Sequence, residues 1–168
     1  MAFKEISPYD IDRNPFTLID KDWALITAQQ DGRANPMTIS WGSLGILWNR
    51  PVVTAYIRPQ RYTFGYLESA EGFSLTFFDE TYREQLSYCG SHSGRDTDKI
   101  AHCGFTLAHQ DGIPYFAEAK MVLFCKKLYA QDIVSDGFAV EGLKEKVYPN
   151  QDYHRMYIGE ITKVLVQE

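Results

Sequence analysis

Short runs of β-branched and aromatic residues, each closed by turn formers, constrain this chain more than any other feature. Val52-Val53-Thr54-Ala55-Tyr56-Ile57 follows Pro51 and has the make-up of a well-buried strand. Phe73 to Phe78, Lys120 to Leu128 and Met156 to Val166 repeat the pattern. Asp31-Gly32 separates the apolar run Trp23 to Thr27 from Pro36 to Trp41, a hairpin signal with a connection expected to exceed two residues. Asp111-Gly112 reads as a further turn. Within Met37-Thr38-Ile39-Ser40-Trp41 the strand period of two puts Met37, Ile39 and Trp41 on one face and the hydroxyls of Thr38 and Ser40 on the other. Aromatic residues reach 14%, with 11 Tyr and 10 Phe, which suits pleated surfaces better than helix bundles. The expected fold class is mainly β, an antiparallel barrel or sandwich with a few helices over its rim.

Three short helices are expected between the strands. Thr63 can cap one running to about Ala70, and Thr81 with Glu84 forms a capping box that opens another towards Tyr88. Asp96 or Thr97 could start a third, ending near Gly104, while Glu141 to Val147 reads equally as loop or short helix. A length of 168 residues with no repeat or Gly/Ser linker implies one domain, 1–168.

Charge narrows the partners. Seventeen Lys and Arg against 22 Asp and Glu give 17 − 22 = −5, so no basic stripe for nucleic acid is expected. No apolar run is long enough to span a bilayer, and the first residues lack the apolar core of a secretory signal, so the expectation is a cytoplasmic protein with no membrane partner. Cys89, Cys103 and Cys125 are odd in number and widely spaced, which suits reduced thiols rather than a disulfide framework. Cys89, His92, His102 and Cys103 lie in one region but lack a repeated ligand spacing, so no metal site is expected.

Three stretches carry candidate chemistry. In Arg58-Pro59-Gln60-Arg61-Tyr62-Thr63, two guanidiniums and a hydroxyl converge on a helix start, where free N–H groups favour an anion. A capped helix beside two solvated arginines explains the same residues. In Cys89 to Lys99, Gly90 and Gly94 allow a nest of N–H groups, and Ser91, Ser93, Arg95 and Lys99 add donors. It is not a P-loop, because GxxxxGK(S/T) is absent, and an exposed polar loop is the plain alternative. In Asn35 to Gly42, Thr38, Ser40 and strand-end amides could meet the edge of a planar ligand, with Met37 or Trp41 as its apolar plate. Core packing accounts for Met37, Ile39 and Trp41 equally well. His154, in Asp152-Tyr153-His154, could donate a proton or orient a ligand, although a structural histidine is the simpler reading. No GxSxG elbow or local Cys–His signature supports nucleophilic catalysis.

Taken in order, Asn35-Pro36-Met37-Thr38-Ile39-Ser40-Trp41, Arg58-Pro59-Gln60-Arg61-Tyr62-Thr63, Ser93-Gly94-Arg95-Asp96-Thr97-Asp98-Lys99 and His154 with Ile158-Gly159-Glu160-Ile161 resemble the flavin reductase-like family, which includes flavoredoxins. The resemblance covers roughly residues 15 to 166. It implies a Greek-key antiparallel split β-barrel, a homodimer, and FMN near the subunit interface. It also implies that Met37, Thr38, Ile39, Ser40 and Trp41 border the flavin ring. Arg58, Thr63, Ser93, Gly94 and Lys99 would surround the ribityl phosphate, while Arg61, Tyr62 and Arg95 could instead be structural or interface residues. NADH or NADPH would then be a transient hydride donor, since no Rossmann GxGxxG is present. Three functions follow: an FMN-dependent reductase, a flavoredoxin-like electron carrier with a redox protein partner, or a split-barrel binding module that has lost flavin or holds another ligand such as haem.

Overall fold

The computed structural model describes residues 2–168. The chain runs through β1 (Phe3–Ile6), α1 (Pro15–Thr17), β2 (Ala24–Gln30), β3 (Arg33–Ile39), β4 (Gly42–Leu47) and β5 (Arg50–Ile57). It continues with α2 (Tyr62–Ser69), β6 (Gly72–Phe77), α3 (Arg83–Ser91), α4 (Lys99–Cys103), β7 (Leu107–Gln110) and β8 (Ile113–Phe116). Last come β9 (Met121–Asp132), α5 (Leu143–Val147) and β10 (Arg155–Gln167).

Seven strands pair in the order β3-β2-β6-β9-β10-β5-β4, with β1 also on β10, and every pairing is antiparallel. β5 and β6 are separated in sequence only by α2, yet β10 and β9 lie between them in the sheet, which is the Greek-key crossing. β3 and β4 form the two ends of the order without pairing, although only Ser40 and Trp41 separate them in the chain. So short a link holds the two end strands close at that point, so the sheet must curl into a barrel split between β3 and β4. The Met37–Trp41 segment therefore sits at the split.

The interior follows from strand periodicity. Ile26, Met37, Ile39, Val53, Ala55, Ile57, Phe73, Leu75, Phe77, Leu123, Tyr157 and Val164 form one buried cluster. A second cluster, with Leu25, Phe78, Leu86, Cys89, Phe105 and Phe116, fixes α3 and the β7–β8 hairpin on the outside of β2.

Local details differ from the sequence expectations where side-chain chemistry had competing solutions. The β2–β3 connection is a two-residue turn after all: Gln30 pairs with Arg33, and Asp31 and Gly32 take φ of 49° and 75°. Those positive angles make a tight primed turn in which glycine avoids a Cβ penalty. Trp48 and Asn49 turn β4 into β5 in the same way, with φ of 52° and 58°. Thr63 does not cap α2; Arg61 holds the N-cap position without a side-chain bond, and the Thr63 hydroxyl turns inward to Asn35. Thr81 and Glu84 form no capping box, because Asp79 accepts from Thr81 N and opens a 3-10 turn that runs into α3. α4 starts later than expected, with Asp98 accepting from Ala101 N, and ends at Gly104 in the left-handed region. The ambiguous 141–147 segment contains the short helix α5.

Candidate functional site

β3 supplies one wall. Met37 and Ile39 point into the core and Thr38 stands on the opposite face. Trp41, placed on the core face by alternation, lies beyond the end of the strand and is 50% exposed. The strand period stops applying at Ser40, so Trp41 swings out, and its ring meets that of His154 at 5.1 Å between centroids. β3 pairs on one side only, which leaves backbone donors and acceptors along its other edge. α3 packs beside that edge: Thr38 Oγ1 donates to Leu86 O at 2.5 Å.

Opposite β3, Arg58 leaves the end of β5 and forms an ion pair with Asp152, whose Oδ2 also accepts from Gln60 Nε2 at 2.9 Å. The hydrogen bond from Gln60, joined by the Arg58 interaction, holds the Asp152 carboxyl below its usual range. The Arg58 guanidinium also lies 5.5 Å from the centre of the Tyr148 ring. Tyr148 Oη and His154 Nδ1 are 2.8 Å apart in a buried hydrogen bond. Burial, helped by the positive Arg58, lowers the His154 imidazole to about 4, against the opposing pull of Asp152. His154 is therefore neutral at pH 7. An open cavity of about 160 Å3 lies between the Met37–Trp41 segment, Tyr56, Arg58, Arg61 and His154.

A second cavity, about 550 Å3, opens beside Asn35, Tyr62, Tyr66, Gly94, Arg95 and Lys99. Lys99 is buried, and its Nζ donates to Cys89 O at 3.1 Å. Burial lowers its ammonium to about 8, with Arg61 adding to the effect and Cys89 opposing it. Arg61 Nη2 donates to Gly90 O at 2.8 Å, and burial together with Arg58 lowers its own affinity for a proton. Both cations thus serve carbonyls of the last turn of α3, which lack partners within the helix and carry the negative end of its dipole. Gly94 is required by contact. A Cβ there would stand 2.0 Å from Asn35 Oδ1 and 2.8 Å from the Tyr62 ring. Asn35 in turn donates to Thr63 Oγ1 at 2.7 Å, in a buried pair.

The structure therefore gathers Met37, Thr38, Ile39, Ser40, Trp41, Arg58, Arg61 and His154 around one cavity, and Gly94 with Lys99 around the other. Arg61 lines the first, and its bond to Gly90 ties that wall to the helix end held by Lys99. Thr63 reaches the second cavity only through Asn35, and Ser93 uses its hydroxyl on Arg95 N in a local turn. Arg95 reaches Gln60 O and lies over the Tyr62 ring. Sequence reading missed Tyr56, Tyr148, Asp152 and Gln60. Asp152 stood two residues before His154, but nothing local announced its pairing with Arg58. Among the described residues no cluster of His, Cys, Asp and Glu could hold a metal ion, and all three cysteines are free thiols.

The flavin reductase-like domain model matches residues 19–168, which takes in every element of both cavities. The chain belongs to the flavin reductase-like family. No curated protein matches the sequence. Solved structures similar to this family member include a flavoredoxin from Methanosarcina acetivorans, 21% identical with a TM-score of 0.69, covering 88% of this chain and 69% of that one. An FMN-binding domain of a flavin reductase-like enzyme from Shewanella baltica is 18% identical, with a TM-score of 0.71 and coverage of 98% and 77%. An NADH:FAD oxidoreductase from Streptomyces globisporus, solved with NAD and FAD fragments, is 14% identical, with a TM-score of 0.64 and coverage of 87% and 74%. These likenesses establish the split-barrel fold shared across the family. Met37, with its side chain in the core, is not the apolar plate expected of it. Within this flavin reductase-like domain, the donor set still fits a phosphorylated planar ligand: a strand edge for hydrogen bonding, exposed Trp41 and half-buried Tyr56 for a ring, and three cations for an anion.

Proposed function

We propose that this protein binds FMN and passes electrons from NADH or NADPH to a free flavin or another acceptor. The observation that carries the reading is the convergence of the β3 edge, Trp41, Arg58, Arg61 and His154 on one cavity at the barrel split. The ring would lie along Met37–Trp41, where unpaired amides can address its polar edge. Arg58, Arg61 and Lys99, with the 93–94 turn and Thr63, would hold the phosphate; a guanidinium has five N–H donors, so serving Asp152 or Gly90 leaves further ones. Bound FMN would supply the two-electron chemistry, accepting hydride and releasing electrons. The chain's own work is orientation, charge neutralisation and exclusion of water. Neutral His154 can offer a hydrogen bond without placing a second positive charge beside Arg58.

A single chain offers about 160 Å3 at the ring site, below the roughly 300–1,000 Å3 usual for ligand pockets. That shortfall supports a homodimer in which a second copy completes the site. Exposed Ile46, Trp48 and Tyr129 on the β4 side would suit such a contact. Flavoredoxins among the similar structures favour a second reading, electron exchange with a redox protein partner. Anaerobic stopped-flow on the FMN-loaded protein separates the two. Rapid bleaching by NADH or NADPH supports the reductase; slow bleaching with fast exchange from reduced ferredoxin supports the carrier.

A further inference from the structure

We propose that Tyr148 is a positioning residue that fixes His154 as its Nε2–H tautomer, so that the imidazole presents a hydrogen-bond donor to the ring cavity. The inference rests on the proposed cofactor reading only for what the donor addresses; the tautomer itself is set within the chain.

The surroundings of the two groups decide the direction of the Tyr148–His154 bond. Neutral imidazole has one donor nitrogen and one acceptor nitrogen. Tyr148 Oη lies 2.8 Å from His154 Nδ1 and also takes the backbone N–H of His154. If Nδ1 also carried a hydrogen, the oxygen would accept twice and the phenol proton, inside a buried pair, would have no acceptor among the described residues. With the phenol donating, Nδ1 is the acceptor and the ring hydrogen goes to Nε2, which has no protein partner among the described residues but is open to water or a ligand at the cavity. His154 also lines the cavity, so the donor is available where a ligand carbonyl or anionic oxygen could receive it.

Tyr148 is well held for this task. Its amide donates to Lys144 O at 2.8 Å at the end of α5, and its ring packs between Tyr153, at 5.0 Å, and Phe138, at 6.1 Å. The excursion that carries it is pinned at its base by Ile133 N donating to His154 O at 2.9 Å. The charged and titratable groups around His154 are Arg58, Arg61, Asp152, Tyr56 and Tyr148. Arg58 discourages a second cation, while Asp152 is occupied by Arg58 and Gln60.

Long-range 15N–1H correlation on the full, 15N-histidine-labelled chain at pH 7 reads the tautomer directly. Wild type should show His154 neutral and on Nε2–H, and Tyr148→Phe should raise the Nδ1–H fraction several-fold. Tyr153→Phe, which alters the same aromatic packing but not this bond, should leave the tautomer unchanged. With FMN loaded, Tyr148→Phe should slow reduction by the nicotinamide about tenfold, the size of one lost hydrogen bond, with a much smaller change in FMN affinity. A wild-type His154 on Nδ1–H, or protonated at pH 7, would overturn the proposal even if Tyr148→Phe failed to fold. An unchanged tautomer in Tyr148→Phe would do the same. If the tautomer behaves as expected but FMN does not bind, the cofactor reading fails and the positioning role stands.

Discussion

At the scale of single residues, the decisive feature is how the cations are spent. Lys99 and Arg61 are both donors to the carbonyl end of α3, and Arg58 is held by Asp152. A bound phosphate would share these groups rather than find them free. Arg58→Ala and Lys99→Ala should therefore each weaken FMN more than riboflavin, by about 1.5–3 kcal/mol for a lost charge-assisted hydrogen bond. Parallel titrations of the two ligands check this, and equal losses would count against phosphate contact. Thr38→Val, at the ring wall, should weaken both alike. His154 gives a pH prediction whose sign is fixed by its lowered proton affinity. From about pH 6.5 down to about 4, the unfolded chain takes a proton on this residue that the folded chain refuses. Its contribution is present above that window and is lost as pH falls through it. Chemical denaturation at pH 7 and pH 4.5 should show a smaller acid loss in His154→Gln than in wild type.

At the scale of elements, local sequence named the long central strands, missed the short or outlying β1, β4, β7 and β8, and read the caps poorly. The β-branched run before Arg58 and the closing run to Val166 are β5 and β10, because burial and propensity agree there. β4 escaped notice because Gly42-Ser43-Leu44-Gly45-Ile46-Leu47 carries two glycines and no β-branched run, and at the sheet end none of its residues is fully buried. Caps failed where neighbouring side chains compete for the same amides: Asp79 took the role expected of Thr81, and Thr63 found Asn35. The candidate site shows the same division. Its three stretches were visible as donor-rich segments, but the Arg58–Asp152 and Tyr148–His154 pairs, 94 and 6 residues apart, depend on how the final excursion folds back. The buried Asn35–Thr63 bond links β3 to α2, so Thr63→Val should cost about 1–3 kcal/mol by leaving the Asn35 amide unpaired. Urea unfolding would measure it, and a change below a few tenths of a kcal/mol would show that the amide finds another partner.

For the whole molecule, the link of two residues between β3 and β4 brings both ends of the sheet order together and makes the split the place where backbone edges stay open. A chain with net charge −5 still carries a local cluster of cations, because Arg61 and Lys99 meet at the end of α3 with Arg58 close by. Trp48 and Ile46 stand exposed at the β4–β5 end of the sheet. A homodimer covering them should have a solution mass about twice the 19.3 kDa of the chain. Light scattering would read that mass, and Trp48→Asp should shift it towards the monomer while weakening FMN.

The most direct measurement is the visible absorption spectrum of the purified protein, before and after incubation with excess FMN and removal of free cofactor. A protein with this site should retain a yellow chromophore at about one FMN per chain, displaced from the spectrum of free flavin. A colourless protein that releases all added FMN would contradict it.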